Sequence, residues 1–459
     1  MTMRGSCVHV SYPGAVRAWF TVFILMLAYV LSFVDRMILN LLVGPIKADL
    51  QLTDTEMSLL MGLSFALFYT ICGIPLGRLA DSKSRRGLIA AGVVVWSAMT
   101  AACGLAKNYW QFFLARIGVG VGEAALSPAA YSLITDSFPP HKRATALSLY
   151  SMGIYLGSGL ALLVGAKVIQ FALSQGETVL PLVGEVRPWQ LIFLLLGAGG
   201  IAFSLVLFAL KEPERKGVGA GQAVPLRQVL HYFGQNRATI ILHNLGFACL
   251  AFCGYGASAW IPEFFVRTYG LHRVEVGEVL GWLTIVAGSA GILCGGALAD
   301  WLHKRGYADA NLRVGMLAAL IALPAVTAFI VPTAPLAYAI NGVMIFALAM
   351  PFGVAPAALQ EIMPNAMRGQ ASALYLFVIT LIGLGVGPTA VALVTDYVFA
   401  DEMALRYSLL VACLVAATLA LMLLGFALRP YRASLQRLQQ WQATPVAGPN
   451  GAAVSANPS

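Results

Sequence analysis

The feature that most constrains this chain is a series of twelve apolar segments, each long enough to cross the ~30 Å hydrocarbon core of a bilayer. Only 11% of the 459 residues are Asp, Glu, Lys or Arg, whereas a soluble domain carries about 25%. So few charges cannot cover a water-facing surface, which excludes a soluble enzyme. The sequence therefore predicts an all-α membrane protein. The predicted spans are 19–43, 57–79, 88–106, 109–136, 144–172, 189–210, 238–265, 276–301, 312–331, 335–361, 369–397 and 405–428.

The longest polar stretch inside the chain divides these spans six and six. The predicted domains are an N-terminal tail (1–16), a six-helix bundle (17–210), a cytoplasmic linker (211–237), a second six-helix bundle (238–428) and a partly disordered C-terminal tail (429–459). Most of the 29 Lys and Arg residues lie in loops on one side of the membrane, which places both termini in the cytoplasm. The net charge of +9 is thus a topology signal, and no nucleic-acid partner is expected. The absence of an Asn-x-Ser/Thr sequon favours a bacterial inner membrane.

Two landmarks recur in the two halves. Residues 77–87 read GRLADSKSRRG, and residues 296–306 read GALADWLHKRG, 219 positions later. The stretch from Asp136 to Arg143 after the fourth span has a counterpart from Glu361 to Arg368 after the tenth, at an offset of 225. The repeat predicts two parallel bundles related by a pseudo-two-fold axis along the membrane normal, with a substrate path between them.

These motifs carry a family resemblance. Twelve spans, a parallel duplication and the loop GRLADSKSRRG resemble the major facilitator superfamily over roughly residues 17–428. Asp35-Arg36 in the first span and ARIGVGVGEAALSPAAYSLITDSFP (115–139) in the fourth are similar to the Spinster branch, known for proton-linked carriers of lysophospholipids and sphingosine-1-phosphate. The resemblance implies a monomeric carrier that works by alternating access, with the proton as coupling ion and no cofactor.

Charged side chains within the predicted spans are the main candidates for function, because each costs roughly 2.5–3.5 kcal/mol to insert. Asp35, Arg36, Arg116 and Glu123 all lie in the first half. On the fourth span, Arg116, Gly120, Glu123, Ser127 and Tyr131 follow a spacing of four, three, four and four, which predicts one helical face. A rise of 1.5 Å per residue puts Asp35, Arg36 and Arg116 at one depth and Glu123 about 10 Å deeper, near the midplane.

This arrangement predicts a proton and substrate switch. Glu123 has no cation within one turn of its own helix, so burial favours its protonated form, and Glu123 and Asp35 are predicted to couple protons. Asp35 is expected to pair with Arg116, and an anionic substrate would compete for Arg36 and Arg116. The alternative is a static ion cluster that holds the first and fourth spans together. The predicted substrate-binding residues are Arg36, Arg116, Ser127, Tyr131, Asn341, Phe346 and Tyr375.

The second half lacks the midmembrane charges. At the offset of 225, Arg116 corresponds to Asn341 and Glu123 to Leu348. The second half instead offers an aromatic and Met-rich stripe, which is either ordinary helix packing or a wall for a hydrocarbon tail. Its residues are Phe247, Phe252, Trp282, Met344, Phe346, Met350, Phe352 and Tyr375.

The repeated loops predict a latch on the cytoplasmic side. Basic residues of GRLADSKSRRG can pair with acids at the inner ends of the spans and release them when that side opens. The alternative is a loop that follows charge bias only. The predicted cytoplasmic gate consists of Gly77, Arg78, Asp81, Arg85, Arg86, Asp136, Arg143, Asp300, Glu361 and Arg368.

The predicted function is therefore a proton-coupled secondary active transporter, with an anionic amphiphile such as a lysophospholipid or sphingolipid phosphate as its substrate. The alternative substrates are small organic acids, sugars or drugs. The chain has no G-x-x-x-x-G-K-[ST] motif, which excludes a pump of the P-loop type. Cys249 and Cys253 lie four residues apart without a His or carboxylate to complete a metal set, and the six His are scattered. No metal, no catalytic residue and no enzymatic activity are expected, and a channel or receptor fits the duplication less well.

Overall fold

The structure is a computed structural model that describes residues 12–175, 178–180, 184–213, 226–364 and 367–443. Within these ranges it contains 12 helical segments that are long and apolar enough to cross a membrane. The predicted class and number of spans are confirmed. The predicted N-terminal tail up to residue 11, the middle of the predicted linker (214–225) and the last part of the chain (444–459) lie outside the described residues.

The first six spans are built from ten helices and one short hairpin. The helices are α1 (Ala15–Leu41), α2 (Val43–Leu50), α3 (Asp54–Ser58), α4 (Ser64–Ser82), α5 (Arg85–Gly104), α6 (Tyr109–Glu123), α7 (Leu126–Ser137), α8 (Pro140–Ser151), α9 (Gly153–Gln175) and α10 (Pro188–Leu207). A π-helical turn, Leu59–Leu63, joins α3 to α4. Before α10, strands β1 (Thr178–Leu180) and β2 (Gly184–Val186) pair antiparallel.

The last six spans are built from ten further helices. They are α11 (Leu226–Gln235), α12 (Arg237–Tyr269), α13 (Arg273–Leu283), α14 (Ser289–Lys304), α15 (Ala310–Ala325), α16 (Ala334–Ala349), α17 (Pro351–Glu361), α18 (Arg368–Ile379), α19 (Gly387–Leu393) and α20 (Leu405–Ala443). Short 3₁₀ or π-helical turns connect several of them, at Thr284–Gly288, Val326–Phe329, Thr380–Val386, Val394–Phe399 and Glu402–Ala404.

Side-chain caps explain where several of these helices begin. Ser84 accepts a hydrogen bond from the backbone N–H of Gly87 at the start of α5, and Asn108 accepts one from Gln111 at the start of α6. Thr53 and Glu56 form a reciprocal capping box at the start of α3. Each cap satisfies a backbone donor that the helix itself leaves unpaired.

Two spans are broken near their middle, and the breaks recur in the repeat. The fourth span starts at Tyr109 and breaks at Ala124–Ala125, where Pro128 cannot donate to the carbonyl four residues earlier. The tenth span starts at Ala334, 225 positions later, and breaks at Met350, just before Pro351. The π-helical turns Leu59–Leu63 and Thr284–Gly288 are also 225 positions apart. The sequence repeat is thus matched by a repeat of local backbone irregularities.

The last helix continues beyond the predicted end of its span. α20 runs to Ala443, so residues 429–443, the first part of the predicted C-terminal tail, are helical. Packing explains the extension, because Tyr431 and Ser434 are both fully buried. The Tyr431 hydroxyl donates to Glu361 at 2.7 Å, and the Ser434 hydroxyl lies 2.7 Å from that of Thr239. These contacts join polar groups of residues far apart in the chain, so no apolar pattern in the sequence predicts them.

The chain packs as two compact units. The first unit comprises the described parts of Met1–Leu52 and Ser64–Val218, and the second comprises Thr53–Leu63 with the described parts of Gly219–Ser459. Trp96, Phe112 and Phe193 are among the largest buried side chains of the first unit. The short segment 53–63 belongs to the first half in sequence but packs within the second unit.

Candidate functional site

A buried carboxylate links the first and fourth spans inside the first unit. Glu123 ends α6 and is only 1% exposed. One of its oxygens, Oε2, accepts hydrogen bonds from Ser32 Oγ at 2.5 Å and from Arg36 Nε at 2.6 Å, and it lies 2.5 Å from Arg36 Nη2. Ser32 and Arg36 are one turn apart on α1, so both reach the same oxygen. The other oxygen, Oε1, is buried and has no hydrogen-bond partner within the described part of the chain.

Aromatic rings surround the guanidinium of Arg36. Its central carbon lies 4.9 Å from the ring centre of Phe33, 4.4 Å from that of Phe65 and 4.9 Å from that of Tyr69. Arg116 lies 5.5 Å from the same Phe65 ring. Ring faces attract cations without neutralising them, so they hold the guanidinium in place and leave its charge available to an anion. The sequence analysis did not identify Ser32, Phe33, Phe65 and Tyr69. Ser32 and Phe33 lie four and three residues before Arg36, and Phe65 lies four residues before Tyr69, so their helical spacing could have indicated them.

Two further charged groups complete the cluster. Asp35 is 5% exposed and Arg116 is 1% exposed, and Asp35 interacts electrostatically with Glu123, Arg116 and Arg36. The four groups carry no net charge when all are ionised. A proton added to either carboxylate leaves one positive charge in excess, which an anion can neutralise. The arrangement can therefore link the binding of a proton to the binding of an anion.

Ser127 and Tyr131 lie beyond a turn in the fourth span. A turn at Ala124–Ala125 assigns them to α7, and both residues of this turn keep right-handed helical backbone angles. Pro128 is the physical cause, because it removes a backbone donor one turn into that segment. Tyr131 is 40% exposed and its ring meets the edge of Tyr150 at 5.5 Å.

The predicted residues of the second half lie in the second unit. Asn341, on α16, is 2% exposed. Phe346 packs against the buried apolar core of that unit, and Tyr375 is part of that core. The ring of Tyr375 lies 5.8 Å from that of His243. Phe346 and Tyr375 thus have a packing role in this structure.

At the inner end of the first unit, Arg85 is the centre of a network. It pairs with Asp136, as the sequence predicts, and it donates to Glu212 Oε1 through Nε at 3.1 Å. Its Nη1 and Nη2 also donate to Ser132 Oγ at 3.0 Å and to the Pro213 carbonyl at 2.7 Å. Arg85 is fully buried by these contacts.

Its neighbour Arg86 contacts the backbone that follows the sixth span. Arg86 donates to the carbonyl of Leu210 at 2.9 Å, just beyond the end of α10, where a cation is favoured by the helix dipole. Gly77 lies within α4, where an added Cβ would come within 3.9 Å of Pro128 on α7. Arg78 is exposed. The side chains of Asp81 and Arg143 lie outside the described residues.

The inner end of the second unit uses other partners. Glu361 accepts hydrogen bonds from Asn311 at 2.8 Å and from Tyr431 at 2.7 Å, and it lies 3.5 Å from His303. Arg368 donates to the Gln360 carbonyl at 3.1 Å, and Asp300 is exposed. The two halves therefore hold their inner acids differently, with a guanidinium in the first and largely neutral donors in the second.

No group of three or more His, Cys, Asp or Glu that could hold a metal ion occurs among the described residues. A multi-pass helical membrane protein with a buried, charge-balanced cluster of two acids and two arginines is the architecture of a solute carrier. The family model of the Major Facilitator Superfamily matches residues 25–388. The chain therefore belongs to the major facilitator superfamily.

Three similar proteins show which members of the superfamily the chain resembles. The chain is 31% identical to an "MFS-type efflux pump" of Mycolicibacterium smegmatis over 89% of this chain and 92% of that one. It is 28% identical to the "Probable L-galactonate transporter" of Escherichia coli over 68% of each chain. A solved bacterial homologue of the human lysosomal transporter Spinster, in an inward-facing, unoccupied conformation, matches with a TM-score of 0.76 and 27% identity, over 93% of this chain and 99% of that one. The predicted superfamily and its Spinster branch are confirmed.

Proposed function

We propose that this protein is a proton-coupled secondary active transporter of an organic anion. It would work by alternating access in a bacterial inner membrane, with both termini in the cytoplasm. The observation that carries the proposal is the Glu123 side chain, which is buried with one oxygen held by Ser32 and Arg36 and the other without a partner among the described residues. A carboxylate in this state has room for a proton on Oε1.

Charge balance supplies the coupling. When Glu123 takes up a proton, its hold on Arg36 weakens, and Arg36 and Arg116 together exceed the charge of Asp35 by one. An anionic carboxylate or phosphate then restores neutrality and can accept paired hydrogen bonds from a guanidinium. When the anion leaves, Glu123 regains Arg36 as its ion pair, and this pairing favours release of the proton from Glu123. Binding of either partner thus favours binding of the other.

An anionic amphiphile such as a lysophospholipid or sphingolipid phosphate is the first candidate substrate. The likeness to Spinster supports it. The aromatic and Met-rich stripe supports it less, because three members of the stripe are packed inside the second unit. Phe247 and Met344 are 1% exposed and Met350 is 2% exposed.

A small hydroxylated acid is the second candidate. The name of the Escherichia coli relative supports it, as does a cluster rich in guanidinium and aromatic side chains, which suits a compact carboxylate. In both cases the anionic group would meet Arg36 and Arg116, so the two candidates share one chemistry at the first unit.

The test is the replacement Glu123→Gln in proteoliposomes that contain a trapped pH dye. Wild-type vesicles should show proton influx when either lysophosphatidate or gluconate is added, whichever is carried, and E123Q should lose that influx by at least about tenfold while still exchanging labelled for unlabelled substrate. Glu275→Gln is a matched control, since Glu275 is exposed at the start of α13. Proton influx in E123Q equal to that of E275Q would refute the role of Glu123.

A further inference from the structure

Two arginines share one buried carboxylate at the inner end of the second unit. Asp309, just before α15, is fully buried, and its Oδ1 accepts a hydrogen bond from Arg313 Nε at 2.7 Å. Its Oδ2 accepts hydrogen bonds from Nε and Nη2 of Arg432, on α20, at 2.9 and 2.6 Å. One carboxylate thus holds two guanidinium groups close together, and their charge exceeds its own by one.

Asp309 is a fixed anchor for this arginine pair. Burial by itself raises the pKa of the Asp309 carboxyl, but the hydrogen bonds from Arg313 and Arg432 outweigh it and hold the pKa below its usual value. The side chains of Arg313 and Arg432 are 35% and 53% exposed, so an anion outside the protein can reach them. Because both long side chains are already held in place, binding an anion costs them less conformational entropy.

The surroundings of the arginine pair are basic as well. Residues 300–313 and 429–432, together with Glu361, which contacts Asn311 and Tyr431, contain five basic and three acidic side chains. The basic ones are Lys304, Arg305, Arg313, Arg429 and Arg432, and the acidic ones are Asp300, Asp309 and Glu361. This end of the second unit therefore carries a surplus of two positive charges, which attracts anions.

Exposed aromatic rings accompany these cations. The guanidinium carbon of Arg305 lies 3.8 Å from the ring centre of Trp301, and that of Arg313 lies 4.4 Å from the ring centre of Tyr307. Trp301 is 46% exposed and Tyr307 is 42% exposed. Trp and Tyr side chains gather at the level of the lipid headgroups, so the two aromatic–arginine contacts suit that level.

We propose that Arg313 and Arg432 form a binding site for the phosphate of an anionic phospholipid headgroup in the cytoplasmic leaflet. A guanidinium donates paired hydrogen bonds to phosphate oxygens, and basic groups at this membrane surface attract anionic lipids. A lipid is favoured over free phosphate because Phe426, which is 70% exposed, lies three residues before Arg429 on one face of α20. An acyl chain can follow this apolar side chain while the headgroup meets the cations. The site is separate from the transport chemistry proposed above.

The test follows the melting temperature of the purified full-length protein in detergent while one ligand is added. The ligands are phosphatidylglycerol, which is anionic, phosphatidylcholine, which is zwitterionic, and inorganic phosphate. A ligand that binds the folded protein raises the melting temperature with its concentration, which gives an apparent Kd. Wild type should bind phosphatidylglycerol at least about tenfold more tightly than phosphatidylcholine, and inorganic phosphate should give no comparable rise.

The variants remove the arginine pair in two ways. Arg432→Gln should weaken phosphatidylglycerol about tenfold and leave phosphatidylcholine unchanged. The triple variant D309N/R313Q/R432Q removes the carboxylate and both cations together, so it leaves no buried charge unpaired, and it should lose the preference for phosphatidylglycerol. Arg227→Gln is the matched control, because it removes the same charge from an exposed side chain on α11 of the same unit and should keep the wild-type affinity.

Equal affinity of the wild type for the two lipids would overturn the inference. A triple variant that keeps the preference would overturn it too, as would equal losses in R227Q and R432Q, which would show attraction by net charge alone. A rise with inorganic phosphate as large as that with phosphatidylglycerol would overturn the lipid as occupant and show a site for free phosphate. None of these measurements involves transport, so they are independent of the outcome for E123Q.

Discussion

At the scale of single residues, Arg36 shows why a guanidinium is needed. It directs both Nε and Nη2 at one oxygen of Glu123, at 2.6 and 2.5 Å, while three aromatic rings cover its faces. A lysine would offer a single point charge and no planar surface for the rings. The pair is thus specific in shape as well as in charge.

The Arg36–Glu123 pair predicts that the stability losses of the two single variants do not add in the double variant. Arg36→Gln alone leaves the Glu123 carboxylate buried without its cation and should destabilise the protein at pH 7 by about 3–5 kcal/mol. The double variant R36Q/E123Q should recover most of that loss, because two neutral amides replace two charges. Thermal unfolding of the wild type, both single variants and the double variant measures the coupling. Additive losses would show that the two side chains do not interact.

At the scale of helices, Glu212 joins the end of one span to the start of another. Its carboxylate follows α10, accepts from Ser84 Oγ at 2.6 Å and accepts from the backbone N–H of Arg85 at 2.8 Å. An anion at the first turn of α5 also matches the helix dipole. Burial by itself raises the pKa of Glu212, but the hydrogen bonds from Ser84 and Arg85 outweigh it and hold the pKa below its usual value.

The lowered pKa of Glu212 predicts the sign of a pH effect. A carboxyl whose pKa is lower in the folded chain stabilises the fold above the unfolded value, near pH 4.3, and loses this effect as the pH falls through the folded value. Glu212→Gln should therefore lower the melting temperature at pH 6, and the difference from wild type should vanish by about pH 3. Melting temperatures from pH 7 to pH 3 test this. A difference that stays constant with pH would contradict it.

At the scale of the whole molecule, the units formed by contacts differ from the halves of the sequence. Asp54 is fully buried, and its two oxygens accept from Arg267 Nη1 at 2.7 Å and Nη2 at 2.9 Å. Thr55 donates to Asp396 through both its backbone and its hydroxyl at 2.7 Å. Segment 53–63 is thereby attached to α12 and to the turn that contains Asp396, all within the second unit.

The Asp54–Arg267 pair predicts rescue by charge exchange. Asp54→Arg puts two cations together, and Arg267→Asp leaves the buried Asp54 without its guanidinium and beside a second acid, so each change should cost about 3–5 kcal/mol. The double variant D54R/R267D restores opposite charges and should recover at least half of the lost melting temperature. Chemical or thermal unfolding of the four proteins is the measurement, and a double variant no more stable than the worse single one would contradict the pairing.

Much of the architecture could be predicted because the bilayer imposes it locally. Long apolar runs must form helices. The uneven distribution of Lys and Arg, together with Pro and Gly, indicates where these helices end. Depth along a helix is likewise fixed by a constant rise, so the level shared by Asp35, Arg36 and Arg116 could be proposed from numbering alone. The contacts of Tyr431 and Ser434 could not be predicted, because their partners come from distant parts of the chain.

Partner choice depended on the tertiary structure. Residues 35 and 36 are adjacent in sequence but point about 100° apart on a helix, so only the placement of α1 and α6 within the first unit decides that Arg36 reaches Glu123. The aromatic enclosure of Arg36 follows from the same kind of long-range contact, because Phe65 and Tyr69 come from α4. The amino-acid order alone shows which groups are expensive to bury. The fold decided which of them meet, because rotation and approach of helices are set by side chains far apart in the chain.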